Sequence, residues 1–171
     1  MRECWLQKTA SLIAAFVLYK TASLAWPPPS QPMLPIGVTF ANTAVLLASA
    51  VTMQRAYTCL REGDVRRLQS GLALTAVLGT TFLVVQGYEW FRLIRQGLTL
   101  ASSIYGATFY TLIGLHAAHV FGAVVWLLVV LVGAWRGRYS QQRYAGVQVC
   151  GVYWYFVCAL WVVLFGVVYL A

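Results

Sequence analysis

Residues 103–135 read SIYGATFYTLIGLHAAHVFGAVVWLLVVLVGAW, a run without a single Asp, Glu, Lys or Arg. A bilayer core needs roughly 20 consecutive apolar residues per helix, so this run is long enough to cross one. Its only basic side chains are His116 and His119, inside GLHAAHVFG at 114–122. Two imidazoles three residues apart share one helix face. The reading of this run as a membrane helix sets the reading of everything around it.

The rest of the chain repeats the pattern. Of 171 residues, 61% are apolar and only 9% charged, too little polar surface to cover a soluble globule. Apolar segments at about 5–25, 36–60, 70–93, 103–135 and 146–170 predict an all-α bundle of about five transmembrane helices. They form a single membrane domain over 1–171. All five prolines fall in WPPPSQPMLP at 26–35, which removes backbone donors and stops the first helix. That first helix contains Lys20, close enough to its end to snorkel to the headgroups. No small-residue cleavage signature precedes the proline block, so the N-terminal segment is expected to be retained.

The formal charge of +8 sits in short clusters between the apolar runs, which is the pattern of topology signals and not of a nucleic-acid footprint. With a cytoplasmic N-terminus, Arg2, Lys8, Arg61, Arg66, Arg67, Arg136, Arg138 and Arg143 all fall on that side, and only Arg92 and Arg95 oppose them. An odd number of helices then leaves Ala171 outside. The cysteines, Cys4, Cys59, Cys150 and Cys158, form no C-x-x-C and read as small hydrophobes.

Four features could carry chemistry. Glu89 is the one acid that falls within an apolar segment, where a carboxylate needs a partner. Arg92 at i+3 is the nearest candidate, and Gln86 at i−3 extends the polar stripe. His116 and His119 could share a metal, but a closed site needs two further ligands that the apolar segments do not supply. Antiparallel pairing sets His116 opposite Thr80 and Thr81, with Glu89 nearer the headgroups, which strains direct coordination by all three. Both histidines are therefore expected to hydrogen-bond within the chain's own bundle. Gly114, Ala118 and Gly122 form a small-x-x-x-small row that permits close backbone approach. Asn42, Thr43, Ser49 and Thr52 give the second helix a face suited to interhelical hydrogen bonds. Arg136 and Arg138, ending the fourth helix on the basic side, could pair with lipid phosphate.

In order along the chain, WPPP at 26–29, Asn42-Thr43-Ala-Val-Leu-Leu-Ala-Ser49, Gln86-Gly-Tyr-Glu89-Trp90, Tyr105-Gly-Ala-Thr-Phe109 with GLHAAHVFG, and Tyr153-Trp154-Tyr-Phe156-Val resemble subunit III of the haem-copper terminal oxidases. The resemblance covers about 130 residues and corresponds to the short five-helix form, which occurs with both cytochrome c and quinol as donor. It implies an accessory subunit of the bacterial plasma membrane with no cofactor of its own. Such a subunit packs against subunit I, which holds the haems and copper, beside subunit II and further small subunits. It also implies phospholipid in a cleft and a supporting role in proton uptake. Gln86, Glu89, Asn42, His116, His119 and Trp154 are then structural polar residues of the family motifs.

Three features depart from the family pattern. The helix before WPPP lacks the acidic residue common there, which puts a proton-antenna role in doubt; Trp-His-Phe-Val-Asp is replaced by Trp154-Tyr-Phe-Val-Cys158; and Lys20 is unusual. A second reading is a small b-type cytochrome with His116 or His119 as axial haem ligand. A transporter or channel would want broken helices or several charges at mid-depth, which the sequence does not show.

Overall fold

The computed structural model describes Ala14, residues 36–97 and residues 104–170. The predicted first helix, apart from Ala14, and the proline block lie outside the described residues. Within them stand four helices: α1 (Ile36–Glu62), α2 (Val65–Arg95), α3 (Ile104–Trp135) and α4 (Ala145–Phe165), the last continued by a π-helical segment, Gly166–Leu170. Each is long and apolar enough to cross a membrane. Each packs on its sequence neighbours and α4 closes back onto α1, giving a four-helix ring.

The connection between α1 and α2 corrects the sequence reading. The charge cluster at 61–69 predicts a loop, yet α1 runs on to Glu62 and α2 starts at Val65. Gly63 takes φ 87°, a left-handed conformation that ends α1 without a Cβ penalty. The Asp64 amide donates to the Cys59 carbonyl at 2.9 Å, and the Asp64 carboxylate caps α2 by accepting from the Arg67 amide at 3.0 Å. Arg66 and Arg67 thus lie in the first turns of a helix. Local capping outweighs polarity here, because a charged helix end at the interface costs little.

The core is built where side chains shrink to let helices meet. A Cβ at Gly71 would lie 2.7 Å from the Cβ of Ala56, joining α2 to α1, and one at Gly151 would lie 3.2 Å from Met53 Cε, joining α4 to α1. Gly79 of α2 is overlain by the Trp154 ring of α4. Around these contacts Met53, Leu60, Leu68, Leu72, Phe82, Ile113, Val120, Leu127, Trp154 and Trp161 are buried. Phe40, Val77, Val84, Phe121, Val129 and Val152 point outward, as apolar side chains do where the solvent is hydrocarbon.

The end of the bundle carrying the α1–α2 and α3–α4 connections is tied together by side chains. Tyr139 packs on both Gly133 and Gly146, at 3.0 and 2.9 Å from their Cβ positions. Gln141 Nε2 donates to the Arg61 carbonyl at 3.1 Å, and Gln69 Nε2 to that of Ala134 at 3.0 Å.

Candidate functional site

The hydroxyl face of α1 faces the tryptophans of α4. Ser49 Oγ donates to the Leu46 carbonyl of its own helix and accepts from Trp154 Nε1 at 3.0 Å. Thr43 Oγ1 donates to the Thr39 carbonyl at 2.7 Å and accepts from Trp161 Nε1 at 2.9 Å. Thr52 and Thr75 share a hydrogen bond of 2.7 Å between α1 and α2, and Asn42 Nδ2 donates to the Phe82 carbonyl at 3.1 Å. With no water in the hydrocarbon, such internal partners are what a polar helix face requires. Trp154 and Trp161, 1% and 0% exposed, are the largest fully buried side chains. The Trp161 bond was not read from the sequence; its signal is the seven-residue spacing from Trp154, two helical turns on one face.

Gln86 and Glu89 lie on the buried face of α2, at 4% and 5% exposure, between Phe82 and Leu93. Arg92 Nη1 stands 4.0 Å from Glu89 Oε1, an ion pair too long for a hydrogen bond, and is itself half exposed. Glu89 Oε2 and Gln86 Nε2 are buried with no protein partner.

The two histidines part company. His119 Nδ1 donates to the Leu115 carbonyl at 2.7 Å, one turn back on its own helix. His116, at 2% exposure, lies with its ring stacked on Trp161 at 5.0 Å between centroids and edge-on to Phe82 at 6.4 Å. Neither of its nitrogens has a hydrogen-bond partner. This corrects the expectation that both histidines hydrogen-bond within the bundle. The flat face of His116 is held by aromatic stacking, which places ring and not carbonyl beside it. Its level against Phe82 is one residue from the predicted Thr81 and two from Thr80. No cluster of three or more His, Cys, Asp or Glu side chains occurs among the described residues. Cys150 and Cys158 are buried apart, Cys158 Sγ donating weakly to the Leu46 carbonyl at 3.9 Å.

Among the described residues no helix packs closely on the small-residue row. A Cβ on Gly122 would meet nothing within 4 Å, Ala118 is exposed, and Gly114 approaches only Trp90, at 3.8 Å from its Cη2. Ala118 and His119 instead border an outward-facing groove of about 490 Å³ with Leu115, Tyr153 and Phe156. The close approaches are made at Gly71, Gly79 and Gly151, each set against a particular partner side chain that spacing alone does not reveal. Arg136 and Arg138 are exposed and bound one end of another open groove, of about 340 Å³, whose wall is Val125, Leu128, Val129 and Val132 of α3.

Residues 9–171 match the family model described as cytochrome c oxidase subunit III. The chain is 37% identical over 164 residues to cytochrome c oxidase subunit 3 of Synechocystis sp., covering 93% of this chain and 67% of that one. It is 36% identical over 127 residues to cytochrome c oxidase subunit 3 of Corynebacterium diphtheriae, covering 74% and 62%. It is 37% identical over 155 residues to that of Pelomedusa subrufa, covering 89% and 58%. The chain therefore spans 58% to 67% of the length of these relatives. With four membrane-crossing helices, the ordered motifs and these matches over most of its length, the chain belongs to the cytochrome c oxidase subunit III family.

Proposed function

We propose that the chain serves as the accessory, non-redox subunit III of a haem-copper terminal oxidase in a bacterial plasma membrane. It packs against subunit I, where O2 is reduced at haem and copper, alongside subunit II and smaller subunits. In this reading the chain is one membrane domain with its N-terminus in the cytoplasm and its C-terminus outside. The observation that carries it is the packing of His116 between Trp161 and Phe82 inside a closed helix ring. A haem could reach that imidazole only by displacing side chains that are fully buried, so His116 serves packing and not ligation, while Nδ1 of His119 is bound to the Leu115 carbonyl. Purification of the assembly should bring the chain down with a larger haem-bearing subunit. The separated chain should give no pyridine haemochrome signal, and a signal from it alone overturns the reading.

The row Gly114, Ala118 and Gly122 faces out of the bundle and is suited to close approach by a helix of a partner subunit. The groove ending in Arg136 and Arg138 suits one phospholipid, its acyl chains along the valines and its phosphate at the guanidinium groups. Replacing both arginines with Gln should lower the phospholipid retained in the purified assembly, counted by mass spectrometry. Unchanged retention refutes that site. Support of proton uptake by the partner belongs to the same proposal and is read from oxidase turnover with and without the chain.

A further inference from the structure

The observation that the function above leaves unused is a set of buried polar atoms without protein partners, spread over about two helical turns of the bundle interior. These are Asn42 Oδ1, Gln86 Nε2, Glu89 Oε2, Trp90 Nε1 and both ring nitrogens of His116. Their positions are tied together by contacts. Asn42 holds the Phe82 carbonyl at 3.1 Å, and the Phe82 ring meets that of His116 at 6.4 Å. Gln86 and Glu89 follow Phe82 on the same buried face, about 6 and 10 Å further along the helix axis. Trp90 then meets α3 again, against Tyr110 at 6.2 Å between ring centroids and against Gly114. Helices α2 and α3 thus touch at Phe82–His116 and at Trp90–Tyr110, and Gln86 and Glu89 lie between the two contacts.

Donors and acceptors gathered in such a place, and left unpaired by the protein, are complementary to water, which both donates and accepts. We propose that Asn42, Gln86, Glu89 and His116 enclose a hydrated proton-binding site that opens toward Arg92. Glu89 and His116 share one dissociable proton there. It passes from carboxyl oxygen to imidazole nitrogen and back along a chain of bridging waters: the carboxyl O–H bond breaks, an imidazole N–H bond forms, and each water takes up one proton and gives up another. Arg92, 55% exposed and 4.0 Å from Glu89, marks the mouth. The surrounding helices also carry Tyr88 and Arg95 on α2, Tyr110 and His119 on α3, and Cys150, Tyr153, Tyr155 and Cys158 on α4. The neighbouring turns of α1 contribute Thr39, Asn42 and Thr43, without charge. This inference does not depend on which assembly holds the chain.

The test is infrared difference spectroscopy of the intact membrane assembly over a pH titration. A protonated-carboxyl band that E89Q removes should shift when H2O is replaced by D2O. His116→Phe, which keeps an aromatic ring against Trp161, should move the midpoint of that band by at least about one pH unit, a tenfold change in proton affinity. A band unmoved by D2O means a dry site, a midpoint unmoved by His116→Phe means uncoupled groups, and no titrating carboxyl at any pH means a permanent ion pair with Arg92. Each of these overturns the proposal. The D2O comparison uses the unsubstituted carboxyl and stands even if His116→Phe does not assemble.

Discussion

Replacing Gly79 with Ala tests the packing of the bundle at its tightest point. The added Cβ would overlap Trp154 Cη2, approach Cζ2 to 2.9 Å and Val124 Cγ2 to 3.3 Å. The indole cannot simply slide away, because it is 1% exposed and its N–H is bound to Ser49 Oγ at 3.0 Å. Overpacking of this kind costs about 1–3 kcal/mol, and losing the indole hydrogen bond adds about 0.5–1.5 kcal/mol if the ring moves. Alanine returns about 1 kcal/mol of helix propensity, which leaves a net loss of roughly 1–3 kcal/mol. Reversible unfolding in mixed micelles of rising SDS fraction, followed by tryptophan fluorescence, measures it. Gly87→Ala is the control, since a Cβ there meets nothing within 4 Å and should stabilise or do nothing. In a Ser49→Ala background the indole is released, and Gly79→Ala should cost about 1 kcal/mol less. Equal stability of the Gly79→Ala and Gly87→Ala proteins refutes the reasoning.

Thr43→Val keeps shape but removes the acceptor of Trp161 Nε1, and should cost about 1–3 kcal/mol by the same unfolding assay. Tyr155→Phe removes an exposed bond of 2.7 Å to Gln54 Oε1 and should change stability by no more than about 0.5 kcal/mol. Gly137 takes φ 69° in the turn after α3, so Gly137→Ala should destabilise by about 1–2 kcal/mol. A stabilising result would show that this turn relaxes freely.

The parts of the fold that depend on composition are legible in the sequence, and those that depend on the partner of each side chain are not. The spans of α1 to α4 follow from runs of apolar residues, and the Asn42, Thr43, Ser49 and Thr52 stripe announces a face toward other helices. The start of α2 is hidden because Arg66 and Arg67 look like loop residues until the Asp64 cap is considered. Helical spacing puts Glu89 and Arg92 within reach of one another but leaves open that the pair stretches to 4.0 Å. The histidine spacing could not separate His116 from His119, because the roughly 60° of rotation between positions i and i+3 is enough to set one ring against a tryptophan of α4 and leave the other on its own helix carbonyl. Likewise, eight-residue glycine spacing in α3 looks like a seam, while the glycines where one helix meets another closely are single positions facing Ala56, Trp154 and Met53.

The double use of Ser49 and Thr43 bears on how the chain is made. Helix α1 emerges from the ribosome more than a hundred residues before Trp154 and Trp161, the tryptophans that bond to it. During that wait each hydroxyl donates to a carbonyl of its own helix, so α1 can enter the bilayer with no hydroxyl proton exposed to hydrocarbon. Only the lone pairs remain, and those are what the arriving indole N–H groups use. Synthesis can therefore proceed helix by helix, with the first described span stable in the lipid before the last one locks onto it.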